Sequence, residues 1–188
     1  MTLQVGYNTA TGVTTASQSS STSAIGWSTA LQCVAAGTAN GMYLYLKDKN
    51  GSANSVQLSL YSNGSSIGST GGGTLIANTA QTALTGLTAG QFNYIPFITP
   101  VALTLNGYYA PAIQANGSLD CVYYSSSPAT FGAHLDTGQN YGTVPSTLPS
   151  GLNDFSGALA MYVDGTVGPT YYPQSRRRRI FLPAFYPG

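Results

Sequence analysis

Apolar and polar side chains alternate with a period of two over much of the chain. Met42, Leu44 and Leu46 fall on one face of an extended run, with Tyr43, Tyr45 and Lys47 on the other. Val56, Leu58 and Leu60 repeat the pattern against Gln57, Ser59 and Tyr61, and Leu159, Met161 and Val163 repeat it again. This is the pattern of strands half-buried in an antiparallel sheet. It predicts that the first two runs form a hairpin joined by Lys47–Ser55. Further strands are expected at Ile25–Val34, Phe92–Thr99, Val101–Leu105, Tyr108–Ala115, Leu119–Ser125 and Leu159–Asp164.

Between these runs stand residues that accept a positive φ. Asn-Gly occurs at 40–41, 50–51, 63–64, 106–107 and 116–117, and Asp-Gly at 164–165. Each is a candidate strand end in a tight turn. Three of them read formally as Asn-Gly-Ser glycosylation sites, and the turn reading is preferred. Pro96 and Pro111 lie inside strand-like runs and cannot donate to a ladder, so edge positions or bulges are expected there. The fold class that follows is all-β, an antiparallel β-sandwich or jelly roll with an extended C-terminal arm. Residues 1–23 read as a strand and a flexible Ser/Thr-rich segment, 24–168 as the sandwich and 169–188 as the arm. Ser17–Ser23 and Gly64–Gly73 read as low-complexity loops. Gly138–Gly157, with Pro145 and Pro149, reads as an irregular excursion suited to an interface.

Composition sharpens this picture. Only 6% of the 188 residues are charged and Glu is absent, while 43% are hydrophobic and 14 are Tyr. Disorder is thereby excluded, and long amphipathic helices are disfavoured. All four arginines stand at 176–179, which leaves the preceding residues with two lysines against five aspartates, a net charge of −3. A body of that charge lacks the basic face a nucleic-acid platform requires, so nucleic acid is not expected as a partner. No apolar run approaches the length of a membrane span, and no membrane partner is expected. The first residues lack the pattern of a secretory signal, which points to synthesis in a cytoplasm. Cys33 and Cys121, each beside apolar neighbours, are expected to be buried and reduced, with a bridge left open.

Residues 40–125 resemble a β-sandwich module of bacteriophage virion proteins and of bacterial surface or carbohydrate-binding proteins. The matching pieces are Val56-Gln57-Leu58-Ser59-Leu60-Tyr61-Ser62 before a Gly-rich loop, then Phe92-Asn93-Tyr94-Ile95-Pro96-Phe97. They continue with Pro100-Val101-Ala102-Leu103 leading to Gly107-Tyr108-Tyr109-Ala110-Pro111-Ala112-Ile113. These are packing and turn residues, so the resemblance implies a fold and a setting, not a site. Joined to the absence of a signal, it implies a virion component of capsid decoration, tail or fibre type, assembled in the host cytoplasm.

Catalytic chemistry finds little purchase. The only histidine, His134, shares a strand face with Asp136, yet no nucleophile-elbow motif accompanies the pair. The five aspartates lie singly, whereas glycosidases need two facing carboxylates. No spacing suits a metal, and no cofactor or catalytic residue is expected.

Two features suit binding. Tyr43, Tyr45 and Tyr61 are expected on the outer face of the first hairpin, where rings suit a subunit interface, a glycan site or a plain solvated face. The arm joins Arg176, Arg177, Arg178 and Arg179 to an apolar anchor of Ile180, Phe181, Leu182, Phe185 and Tyr186. Rigid guanidinium forks and buried aromatics together suit docking on a partner; the alternative is a last strand folding back on its own sandwich. The expected role is a non-enzymatic structural protein that binds other virion proteins and itself, as a homo-oligomer with a trimer preferred. The rival is a receptor-binding module or adhesin for a cell-surface glycan.

Overall fold

The computed structural model describes residues 2–6, 13–18, 25–28, 30–63, 72–124, 132–136, 139–149, 153–156 and 158–167. They form β1 (Thr2–Gly6), β2 (Val13–Gln18), β3 (Ile25–Ser28), β4 (Leu31–Gln32), β5 (Gly37–Leu46), β6 (Ser55–Asn63), β7 (Thr74–Asn78) and β8 (Thr82–Ala83). There follow β9 (Gln91–Leu103), β10 (Tyr108–Ala115), β11 (Leu119–Tyr124), β12 (Gly132–Asp136), β13 (Asn153–Ser156), β14 (Ala158–Leu159) and β15 (Met161–Val167). A single 3-10 turn, Leu84–Gly86, is the only helical element among the described residues.

Among the described residues every strand pairing is antiparallel, and the strands form two sheets packed together as an all-β sandwich. One sheet runs β1-β15-β5-β11-β14, with β2 against β11 and β9 against β5. The other runs β13-β12-β3-β10-β6-β7, with β4 against β10 and β8 against β6. The alternating side chains fill the space between them: Met42, Leu44 and Leu46 from β5 meet Val56, Leu58 and Leu60 from β6, with Ile95, Ile113, Met161 and Val163 in the same cluster.

That packing overturns the expected hairpin. β5 pairs with β15 and β9, whereas β6 pairs with β10, β7 and β8. Residues 47–54 therefore cross from one sheet to the other. Alternation reports which face of a strand is buried, and two strands facing each other across a core show the same alternation as two strands side by side.

The Asn-Gly and Asp-Gly pairs within the described residues divide into two kinds, and the turn expected at 63–64 falls on Gly64, which lies outside them. Those at 50–51, 106–107 and 116–117 lie in turns between sheets, and Asn106 has a φ of 64°. The turns at 50–52 and 116–118 are tied together: the Ser52 N–H donates to Ser118 Oγ and the Ser118 N–H to Ser52 Oγ, both at 3.0 Å. Asn116 Oδ1 accepts from the backbone N–H groups of Asn54 and Ser55 at 2.9 and 3.0 Å.

Asn40-Gly41 and Asp164-Gly165 are not turns. They face each other across β5 and β15 at a shared irregularity in register. On the opposite side of β5, Ala39 pairs with Val101 and Gly41 with Pro96, so β9 arches over Asn40 through residues 97–100. A Cβ on Gly41 would stand 2.7 Å from the Tyr94 ring and 2.6 Å from the Ile95 carbonyl oxygen. Glycine serves close approach here rather than chain reversal.

The prolines follow the ladder rule in different ways. Pro96 lies on β9, whose second edge meets only the Thr79–Phe97 bridge among the described residues. Pro111 sits in the middle of its sheet, where the facing chain is interrupted between the Trp27–Ala112 and Leu31–Tyr109 pairings.

A second apolar cluster covers the outer side of the β3-β10-β6 sheet. Ile25, Trp27, Tyr61, Ala110 and Ala112 are buried there with Leu148 from residues 139–149. That segment is held by the Gly72–Leu148 bridge and by a hydrogen bond from the Leu75 N–H to the Ser146 oxygen. Part of the excursion expected at 138–157 is thus a strap over a sheet.

Candidate functional site

On the outer side of β15, β5 and β9 the side chains that point away from the core are aromatic. Register places Tyr162, Tyr43 and Tyr94 in one cross-strand row, with Tyr45 opposite Phe92 one step along. The Tyr43 and Tyr162 rings stack with centroids 4.6 Å apart and planes 9° from parallel. Tyr43 and Tyr94 lie 5.1 Å apart at 50°, and Phe92 meets Tyr45 and Tyr162 edge-on at 5.2 Å. Offset stacks and edge contacts are the favoured geometries for such rings.

The cluster is graded in exposure. Tyr43, flanked by two strands, is 8% exposed; Tyr94 on the edge strand is 42% exposed. The arch of β9 lifts Ile98 to 65% exposure beyond it. Asp164 of β15 adds a carboxylate to this aromatic surface. Burial pushes the phenols of Tyr43, Tyr94 and Tyr162 above their ordinary pKa, and the charge of Asp164 pushes all three further in the same direction. The phenols therefore stay protonated and can donate hydrogen bonds through neutral and mildly alkaline pH.

The sequence places Tyr43, Tyr45 and Tyr61 on one face, and the structure separates them. Tyr43 and Tyr45 belong to the aromatic row. Tyr61 lies on β6 of the other sheet, fully buried in the second cluster, and its hydroxyl donates to the Pro145 oxygen at 2.8 Å. Burial raises its pKa to about 12. The error descends from the hairpin: once β5 and β6 are in different sheets, their outer faces look in opposite directions. Phe92, Tyr94, Tyr162 and Asp164 complete the row in place of Tyr61. Their own alternation with Asn93, Ile95, Met161 and Val163 marks them as outward-facing, but only the pairing of β9 and β15 with β5 brings them together.

A smaller apolar pair lies at one end of the sandwich. Val34 and Leu105 are 67% and 57% exposed, flanking the backbone hydrogen bonds that join Cys33 to Asn106 and Gly107. Cys33 itself is buried and free, its thiol donating to the Ala35 oxygen at 3.1 Å. The Cys121 backbone pairs with Leu46, and Leu46 is about 30 Å along β5 from Gly37. The two cysteines stand towards opposite ends, beyond the roughly 7 Å Cα separation a disulfide can span.

His134 and Asp136 lie on β12, where register sets His134 between Trp27 and Asp154 and sets Asp136 opposite Ile25. Among the described residues no group of three or more His, Cys, Asp or Glu side chains gathers to hold a metal ion. The arm residues Arg176, Arg177, Arg178, Arg179, Ile180, Phe181, Leu182, Phe185 and Tyr186 lie outside the described residues. No protein-family model matches the chain, and no curated protein is significantly similar to it.

Proposed function

We propose that the protein is a non-enzymatic structural component of a virion, of decoration, tail or fibre type, which holds partner subunits through its outer aromatic face and its C-terminal arm. The observation that carries this reading is the continuous surface of Tyr162, Tyr43, Tyr45, Phe92 and Tyr94, ending on exposed Ile98. Aromatic side chains offer large contact area at low entropic cost, and a patch with a buried centre and a polar rim has the anatomy of an interface. The flanking Asp164 and the tyrosine hydroxyls supply the rim.

The presence of Asp164 among the rings also favours a second reading, a glycan-binding module. A sugar presents an apolar face that can stack on tyrosine and hydroxyls that can donate to a carboxylate. The two readings part under one comparison. The variant Tyr45→Ala/Tyr94→Ala/Ile98→Ser, compared with the unaltered protein, is expected to sediment as smaller species and to incorporate poorly into particles. Unaltered assembly with lost binding to cell-surface glycans would replace the first reading by the second.

A further inference from the structure

We propose that Asn50 is a site of spontaneous chemical modification, where the side-chain amide is exchanged for a carboxylate with rearrangement of the backbone, and that this change unties the turn at 50–52 from the turn at 116–118.

Every Asn-Gly pair carries the groups for this reaction. The glycine nitrogen attacks the asparagine Cγ, an approach that the missing Cβ of glycine leaves open. A succinimide ring forms, and the amide departs as ammonia with the proton lost from the glycine N–H. Water then adds to one of the two ring carbonyls. Opening at one gives aspartate. Opening at the other gives isoaspartate, in which the main chain runs through the former side chain and is longer by one CH2 group. Water is the only co-reactant.

The structure separates the pairs by what holds those groups. Asn50 and Gly51 are both exposed, in the segment between β5 and β6. Among the described residues neither the Asn50 amide nor the Gly51 N–H has a hydrogen-bond partner; the Asn50 N–H donates to Asp48 Oδ1 at 2.8 Å. The other described pairs are engaged. Asn40-Gly41 lies within β5, flanked by β15 and β9. The Gly107 N–H donates to the Thr104 oxygen at 3.1 Å, which occupies the nitrogen that would attack Asn106. Asn116 is pinned at both ends of its amide: Oδ1 accepts from the N–H groups of Asn54 and Ser55, and Nδ2 donates to Asn54 Oδ1. Turning its Cγ towards the next nitrogen would break those bonds.

The consequence follows from what Gly51 packs against. A Cβ on Gly51 would stand 2.2 Å from the Ser118 oxygen. The next residues hold the same partner, the Ser52 N–H on Ser118 Oγ at 3.0 Å and the Ala53 N–H on the Ser118 oxygen at 2.9 Å. An added CH2 group at residue 50 displaces Gly51 along the chain, and contacts this close do not survive such a shift. The new carboxylate also stands two residues from Asp48, so like charges meet in one turn.

The test is to age the purified full-length protein in mildly alkaline buffer and follow it by peptide mass mapping, which reads the replacement of an amide NH2 by OH. The exchange is expected at Asn50 before Asn40, Asn106 and Asn116, with isoaspartate among the products and a falling urea midpoint as it accumulates. Asn50→Gln, whose longer side chain would have to close a larger ring, should lose the exchange and keep its midpoint over the same time. Freshly prepared Asn50→Asp has the charge without the added CH2 group and should keep most of the midpoint. Exchange at Asn40, Asn106 or Asn116 as early as at Asn50 would overturn the proposal. An aged protein with isoaspartate at residue 50 and an unchanged midpoint would overturn it too, as would an equal loss in fresh Asn50→Asp.

Discussion

Tyr43 and Tyr94 stand opposite each other across one ladder, yet their environments assign them different roles. Tyr43 is enclosed between Tyr162 and Tyr94, so Tyr43→Ala should leave a cavity and cost about 3 kcal/mol of stability in urea unfolding. Tyr94→Ala, at the exposed edge, should cost less than about 1 kcal/mol while still impairing assembly. Tyr61 offers a test of a different kind. Its phenol is buried and its pKa raised to about 12, against about 10 in the unfolded chain. The stability this contributes is fully present below about pH 10 and is lost as pH rises through about 12, because the unfolded chain gives up the proton first. Unfolding measured from pH 9 to pH 12 should show a loss on the order of 2 kcal/mol, and Tyr61→Phe should remove most of that slope. The sequence marks Tyr61 only as the polar member of an alternating strand. Its burial depends on residues 139–149 lying over it, and nothing in the residues near Tyr61 announces a strap more than seventy residues away.

Elements were legible in proportion to how local their determinants are. The strands around 42–46, 56–60, 108–115 and 159–163 follow from alternation alone, since each side chain's own polarity decides which way it faces. Their partners do not follow, because an Asn-Gly pair reports only that the chain can adopt an unusual backbone. At 106–107 and 116–117 it turns between sheets, and at 40–41 it makes room for the Tyr94 ring. The ties between turns are the structural consequence. Asn116→Ala would strip the acceptor from the N–H groups of Asn54 and Ser55, and should cost about 1–2 kcal/mol in chemical unfolding. Asn116→Asp keeps the acceptor oxygen and should cost less. The strap makes a parallel prediction: Leu148→Ala removes a buried side chain from the second cluster and should cost about 2–4 kcal/mol. Trp27, the only tryptophan, is buried in the same cluster, so its fluorescence should shift to the red in that variant.

For the whole molecule, low charge and a sandwich with one aromatic outer face and one strapped outer face make the two sides unequal. The strapped side has its apolar residues covered by the chain itself, with Leu148 lying against Ile25 and Trp27. The other side keeps Tyr94 and Ile98 exposed on an edge strand whose prolines, Pro96 and Pro100, limit addition of a further strand. That asymmetry points to side-chain contact across a face as the mode of association, in preference to extension of a sheet. In the proposed role the arm would be a second attachment, and its four arginines are four of the six Lys and Arg residues of the chain. A cryo-electron microscopy map of the assembled particle tests this most directly. The account predicts density from a neighbouring subunit packed against Tyr94, Phe92 and Ile98, and an assembled particle in which that face is open to solvent would contradict it.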